Sequence, residues 1–324
     1  MLRPDNLWGK IKNFDQMNGF NFPWHLINPA GRIWHVDSAD GNDDNPGLFA
    51  GLGEELANGN ALLTVAAGLA KMSHYDNLVL SGYFREQVDT PASIYDCTII
   101  GGGNLPRQAT EGGVHTGGGA YWDTPASPTA ATPLLRVLHQ SWKIANIAFQ
   151  SPTDAPSIRF FRNAADTQDG SHSTVVGCYF AGRKYGVESH GGVARIRLYG
   201  NEFLLFDASG DVAVKETTGA GTGTCWGWEI IGNTFHANHT DISGALVGAK
   251  ILDNDFKLDS LTVTNTVAID TTGGNRNAIS DNRMYSASNA SGINARFVVG
   301  SADLYMGNEY NRAGAALSLS YGQL

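Results

Sequence analysis

The sequence predicts an all-β chain wound as a solenoid of parallel strands, with one N-terminal capping helix, and three observations carry that reading. The first is a repeated hexad. Aligned on its last residue it reads IANIAF ending at Phe149, VVGCYF at Phe180, LYGNEF at Phe203, IIGNTF at Phe235, ILDNDF at Phe256, ISDNRM at Met284 and YMGNEY at Tyr310, with spacings of 31, 23, 32, 21, 28 and 26 residues. A constant hexad with elastic spacing is the signature of coils that return in register while their outward loops vary. The second is composition: 40 of 324 residues are Gly and only 16% are charged, which suits many tight turns. The third is a single run at helical spacing, Leu62, Val65, Ala66 and Leu69.

Within each hexad the first residue is apolar and the last is aromatic or Met, so both are expected inside the cylinder. Between them Asn recurs at 201, 233, 254, 282 and 308. Asn tolerates the left-handed backbone of a sharp corner, and stacked amides can bond from coil to coil. These five are therefore expected to form an Asn ladder at a left-handed corner. Cys178 and Ile147 hold the same place in earlier coils, so the ladder should begin at Asn201.

The chain divides into an N-terminal arm, 1–31, and a solenoid, 32–324. The arm is loaded with large apolar groups, among them Leu2, Leu7, Trp8, Phe14, Phe20, Phe22 and Trp24. It either folds back over the first coil as a cap or docks on a partner. The helix is expected over about 60–73, N-capped by Asn60, where it would plug the open end of the solenoid. Two outgrowths interrupt the coils, at about 103–134 with Tyr121, Trp122 and Asp123, and at about 207–229 with Lys215, Glu216, Trp226 and Trp228.

Charge and cysteine usage narrow the partners. A net charge of −9 and no basic stripe argue against nucleic acid, and no run of 18 apolar residues suggests a membrane span. The N-terminus, MLRPDNLWGKIKNFDQ, lacks the apolar core of a secretory signal, so the expectation is a chain made in a cytoplasm. Cys97, Cys178 and Cys225 are odd in number and scattered, which fits buried free thiols.

From residue 33 the order VDSADGNDDNPG, the helix with Thr64, DNLVLSGYFRE and then TIIGG resembles the opening of right-handed parallel β-helix proteins of the pectate-lyase-like superfamily. That superfamily includes polysaccharide lyases and bacteriophage tailspikes. The resemblance covers about 33–104, and the hexads extend it to about 310. It departs from the usual pattern at His74-Tyr75, where a Pro-Gly pair commonly precedes the Asp, and at Ala61-Leu62-Leu63. It implies the fold, and it leaves activity open among lyases, hydrolases, esterases and virion proteins.

Candidate chemistry is sparse. Hydrolysis of a glycoside needs two carboxylates facing one groove. The outward fifth position of the hexads supplies Glu202 and Asp255 two coils apart, with Arg283 as a competing ion-pair partner. Tyr121, Trp122, Trp226 and Trp228 are the aromatic candidates for stacking on sugar rings. His236, His239 and Asp241 have a spacing that a metal could use, but a structural role is preferred, and Asp37–Asp44 reads as a solvated loop before a calcium site. Lys184, Lys215, Lys250 and Lys257 are available bases with no catalytic motif around them. No metal or cofactor is therefore expected.

The leading expectation is a bacteriophage virion surface protein, a spike, fibre or head decoration, structural and adsorbing to host surface glycan, located on the virion and more a binder than an enzyme. As the resemblance implies, it would be a homotrimer, and its arm would dock on other virion proteins. The alternative is a polysaccharide depolymerase, hydrolase or lyase, of the tailspike type. A bacterial surface adhesin is the weaker alternative.

Overall fold

The structure, a computed structural model, describes residues 27–48, 60–102, 119–217, 225–257, 267–286, 297, 298, 300, 302–312, 315–318, 322 and 323. Most of the arm, residues 103–118 of the first outgrowth and 218–224 of the second lie outside the described residues.

The chain coils as a right-handed parallel β-helix with three sheets. Sheet I stacks Ile33–Asp37, the first half of Asn77–Phe84, Thr98–Gly101, Lys143–Ala145, Thr174–Val176, Arg197–Tyr199, Glu229–Ile231, Lys250–Leu252, Ala278–Ser280 and Leu304–Met306. Sheet II continues each coil, from the second half of Asn77–Phe84 through Ala120–Trp122, Ile147–Ser151 and the hexad ends to Glu309–Arg312. Sheet III has eight strands, from Val88–Asp89 to Phe297–Val298.

The hexad alignment is the physical register. Ile144, Val175, Leu198, Ile230, Ile251 and Ile279 pair across sheet I and are all 0% exposed. Their counterparts in sheet II form an aromatic column. Phe149, Phe180, Phe203, Phe235 and Phe256 stack with centroids 4.8–5.1 Å apart and planes within 7–8°. That spacing matches the separation of hydrogen-bonded strands, so stacking and backbone pairing reinforce each other.

The Asn column is continuous. Asn201 Nδ2 donates to Asn233 Oδ1 (3.0 Å), Asn233 to Asn254 (3.0 Å), Asn254 to Asn282 (2.9 Å) and Asn282 to Asn308 (2.9 Å). Each amide also donates to a carbonyl of the coil before, as Asn233 does to Leu198 (2.9 Å), and accepts a backbone N–H. The backbone N–H of Cys178 donates to Asn201 Oδ1 at 2.9 Å and begins the stack. One expectation is corrected: the left-handed residue is not the Asn but its predecessor, Gly177, Gly200, Gly232, Asp253, Asp281 or Gly307, with φ between 54° and 66°. The turn needs its positive φ one residue earlier, which frees the Asn to point inward.

The helix α1 spans Val65–Lys71, and its N-cap is Thr64, not Asn60. Residues 61 and 62 are already committed to the first coil, since Leu62 N donates to His35 O and Leu62 O accepts from Asp37 N. Only beyond Leu62 can helix begin. Thr64 Oγ1 accepts from Ala67 N, while Glu86 accepts from Val65 N and Ala66 N and Asp43 from Leu63 N and Thr64 N. Asp43 is thus an anchor for the helix start. Gly68 lies so close to the first coils that a Cβ there would meet Leu78 at 2.6 Å and Val36 at 2.7 Å. At the other end, Leu304–Met306 and Glu309–Arg312 meet Gly322–Gln323 and Ala315–Ser318 in antiparallel pairs, which occupy the strand edges of the last coil.

Candidate functional site

A second left-handed corner, the III–I corner, stands two residues before each sheet I strand from Asn77–Phe84 onward; it follows the helix in the first case and sheet III in the coils after it. Its occupants are Tyr75, Asp96, Ser141, His172, Arg195, Gly227, Gly248, Arg276 and Ala302, with φ between 54° and 70°. A residue in this conformation at a convex corner presents its side chain outward.

Beside this corner lies a cleft of about 710 Å³. One edge is the corner row Tyr75, Asp96, Ser141 and His172. The floor is the outward row of sheet I, where Thr98, Lys143, Thr174 and Arg197 pair strand to strand. The wall is residues 27–30, fixed by Asn28 N donating to Asn77 Oδ1 (2.8 Å) and Asn77 Nδ2 donating to Asn28 O (2.9 Å). Ile27 packs on the outward side chains of Ile100 and Ala145, so the described end of the arm lies along the outside of sheet I.

Burial in the cleft holds the Lys143 ammonium below the usual lysine range, because it separates the charge from water. Arg197, two coils away, is about 10 Å distant along the backbone and lies 3.6 Å from Glu229. Glu229 is held below the ordinary glutamate range by the Tyr199 hydroxyl and then by Lys250, which stands 2.9 Å away. The floor thus offers a lysine eased toward its neutral form, a permanent cation and the Thr174 hydroxyl. That set can take up a carboxylate and move a proton beside it.

A second charged surface is the outward row of sheet III, in order Asp89, Arg136, Arg159, Glu188, Lys215, Ser243 and Asp270. Glu188 is 4% exposed and accepts from Arg159 Nε (2.6 Å) and Thr217 Oγ1 (2.9 Å), while Lys215 donates to Ser243 (3.1 Å). Along this row Arg136 pairs with Asp89 and Arg159 with Glu188, so its charges are largely matched within the row.

The residues singled out from sequence scatter. Glu202 and Asp255 do share the outward row of sheet II, with Thr234 between them, but Asp255 is paired to Arg283 at 3.0 Å. Trp122 and Trp228 are each 0% exposed and cannot touch a glycan. Trp122 belongs to the aromatic column, stacked on Phe149 at 5.7 Å, and Trp228 Nε1 donates inward to Val193 O. Tyr121 is 5% exposed, stacked on Tyr83 at 5.3 Å. Both Tyr121 and Trp122 lie on a strand, Ala120–Trp122, inside what reads as a loop outgrowth, and Lys215 and Glu216 likewise lie on Val212–Thr217. Only Trp226, of the four aromatics, is open, 45% exposed beneath the Arg195 guanidinium at 4.2 Å.

His236 and Asp241 diverge, the first on the outward row of sheet II and the second 1% exposed against Asn238 Nδ2 at 2.8 Å. Among the described residues no group of three or more His, Cys, Asp or Glu is placed to hold a metal ion, and no helix is long and apolar enough to cross a membrane. All three cysteines are free and buried, and burial pushes each thiol up to about 12. Lys143 and Arg197 were missed by motif reading, yet the signal exists: they are the residues immediately before the hexads that begin at Ile144 and Leu198.

No protein-family model matches the chain, and no curated protein matches it in sequence. Among solved structures, it is similar to pectate lyase Pel9A, at 13% identity and a TM-score of 0.48 over 86% of this chain and 70% of that one. It is also similar to the PL6 family alginate lyase AlyGC, at 14% identity and a TM-score of 0.36 or below over about three quarters of this chain and 38% or 39% of that one. A GH136 lacto-N-biosidase from Eubacterium ramulus is similar at 11% identity and a TM-score of 0.30 over 95% and 70%. What the coil topology establishes is the parallel β-helix fold.

Proposed function

We propose that the chain is a polysaccharide depolymerase of the lyase type, acting on a uronate-containing polymer in the cleft between the 27–30 wall and the III–I corner. The observation that carries this is Lys143, a lysine whose ammonium is destabilised by burial, on the floor of a cleft that also holds Arg197. In a β-elimination the neutral amine takes the proton next to the uronate carboxylate. The electron pair left behind becomes the new carbon–carbon double bond, the glycosidic C–O bond breaks, and the leaving oxygen is protonated by solvent. Arg197 is suited to bind the carboxylate, and to stabilise the charge that builds on it as the proton leaves. Incubation with a panel of uronate polymers should produce unsaturated ends that absorb in the ultraviolet. Failure with every such polymer would remove the reading.

A second reading is adsorption without cleavage by a homotrimeric virion protein; the one observation that bears on it is that Asp255 is held by Arg283 at 3.0 Å, which ties up one of the two carboxylates a hydrolase would need. Light scattering reports the oligomer, and immunolabelling of particles reports the location.

A further inference from the structure

Tyr75 occupies the left-handed III–I corner at φ 70°, and the same corner is held by Gly227 at 67° and Gly248 at 59° in later coils. Glycine therefore serves this corner without strain, whereas a bulky aromatic is strained there. Core packing does not explain the choice, since the Tyr75 ring is 40% exposed. Nor is the ring isolated. Tyr95, 37% exposed, meets it edge-on at 5.7 Å, and Tyr95 in turn lies 4.2 Å from the His74 ring and 5.9 Å from that of His139. Four rings from adjoining coils thus gather on the surface at the mouth of the cleft, which Tyr75 itself lines.

We propose that His74, Tyr75, Tyr95 and His139 form a carbohydrate-binding platform that holds the non-reacting sugar units of an acidic polysaccharide as it leaves the cleft. Aromatic rings offer flat apolar faces to the C–H faces of sugar rings, with polar edges for the hydroxyls. The cleft beside them adds what an acidic sugar needs: Lys143 and Arg197 for carboxylates and Thr174 for a hydroxyl. Because the floor row climbs one residue per coil, about 4.8 Å each, the polymer lies along the helix axis. The nature of the ligand rests on the acidic-glycan reading above; the platform as a binding surface does not require that the polymer be cut.

The test uses the full chain with Tyr95→Ala and Tyr75→Gly, titrated with a disaccharide and with longer oligomers of galacturonate and of alginate, and with a neutral cello-oligomer as control. Both variants should bind the longer acidic oligomers about tenfold more weakly, and Tyr95→Ala, whose ring lies outside the cleft lining, should bind the disaccharide as the parent does. Tyr75→Gly relieves the corner, so its thermal midpoint should not fall, which separates lost binding from lost folding. Hydroxyl-radical footprinting of the parent should show Tyr75 and Tyr95 protected by the longer oligomers. Unchanged affinity in both variants, absence of protection at both rings, or no binding of any acidic oligomer to the parent would each overturn the platform. If the variants lose binding while the parent releases no unsaturated ends, the platform stands and the lyase reading falls.

Discussion

The two left-handed corners of each coil are built from the same backbone conformation and furnished for opposite ends. At the I–II corner the positive-φ positions at 146, 177, 200, 232, 253, 281 and 307 hold only Asn, Gly or Asp, followed by buried Asn from coil 201 onward. At the III–I corner the same conformation is held by Tyr, Asp, Ser, His and Arg before two glycines appear. The first corner uses the cheapest residues for the shape and spends its side chains on hydrogen bonds inside. The second accepts strain in order to display side chains outside, and the cleft lies against four of them. The buried amide column follows one corner, and the cleft lies beside the other.

The largest expected effect lies on the cleft floor beside the second corner. Lys143→Gln should lower cleavage of a uronate polymer by at least about 100-fold while leaving the thermal midpoint within error, and Lys143→Arg, which stays protonated, should do no better. If either retains near-parental rates, the floor of the cleft is not where the proton moves. The pH profile follows from the same group. Burial lowers the Lys143 proton affinity, so the neutral base appears as pH rises, and activity should climb with a midpoint below the ordinary lysine value of about 10.4. The sign for folding is the same: in that window the unfolded chain binds more protons, so stability attributable to this group increases with pH.

The first corner should answer in stability. Asn254→Ala removes two donated bonds, to Asn282 and Ile230, and strands groups that have no water to replace them. A loss of about 1 to 3 kcal/mol is expected in a denaturant titration. Asn238 lies outside the hexads and might be chosen as a silent control, but it is 1% exposed and bonds to Phe203, Phe206 and Asp241. Asn238→Ala should therefore lose a comparable amount. Indistinguishable parental stability in Asn254→Ala would mean that the amide column contributes nothing net.

Two smaller effects compare the corners directly. Gly232→Ala meets no atom within 4 Å, so its effect isolates the left-handed backbone, about 1 to 2 kcal/mol. His172→Gly makes the reverse exchange and should change stability by no more than about 1 kcal/mol, in the stabilising direction, because the relief of strain is partly offset by the freedom of glycine in the unfolded chain. A marked destabilisation by His172→Gly would mean that its side chain supports the corner instead of serving the cleft.

Much of the fold was legible because the hexad is a local signal repeated in register. The apolar Ile230, the aromatic Phe235 and the amide Asn233 recur at fixed offsets, and each can do its work only when stacked on its own kind. The second corner was harder to read. Its residues share no chemistry, so Ser141, His172 and Arg195 align only once the hexads fix the register. A shorter polar stack of the same kind, in which the Asn277 amide donates to the Asp303 carboxylate at 3.0 Å, escaped for the same reason.

The sequence by itself determined the coil, its inward rows and the Asn column, since period and residue type suffice to say what must stack. Tertiary structure alone decided which aromatics face water. Trp122 and Trp228 sit in stretches that read as outgrowths and are interior, because whether a ring belongs to a strand or a loop depends on what the neighbouring coil pairs with. It also decided that Lys143 and Arg197, 54 residues apart as 197 less 143, share one floor. Coil spacing converts that separation into two strand widths, and only the closed register of the sheets fixes how many turns lie between them.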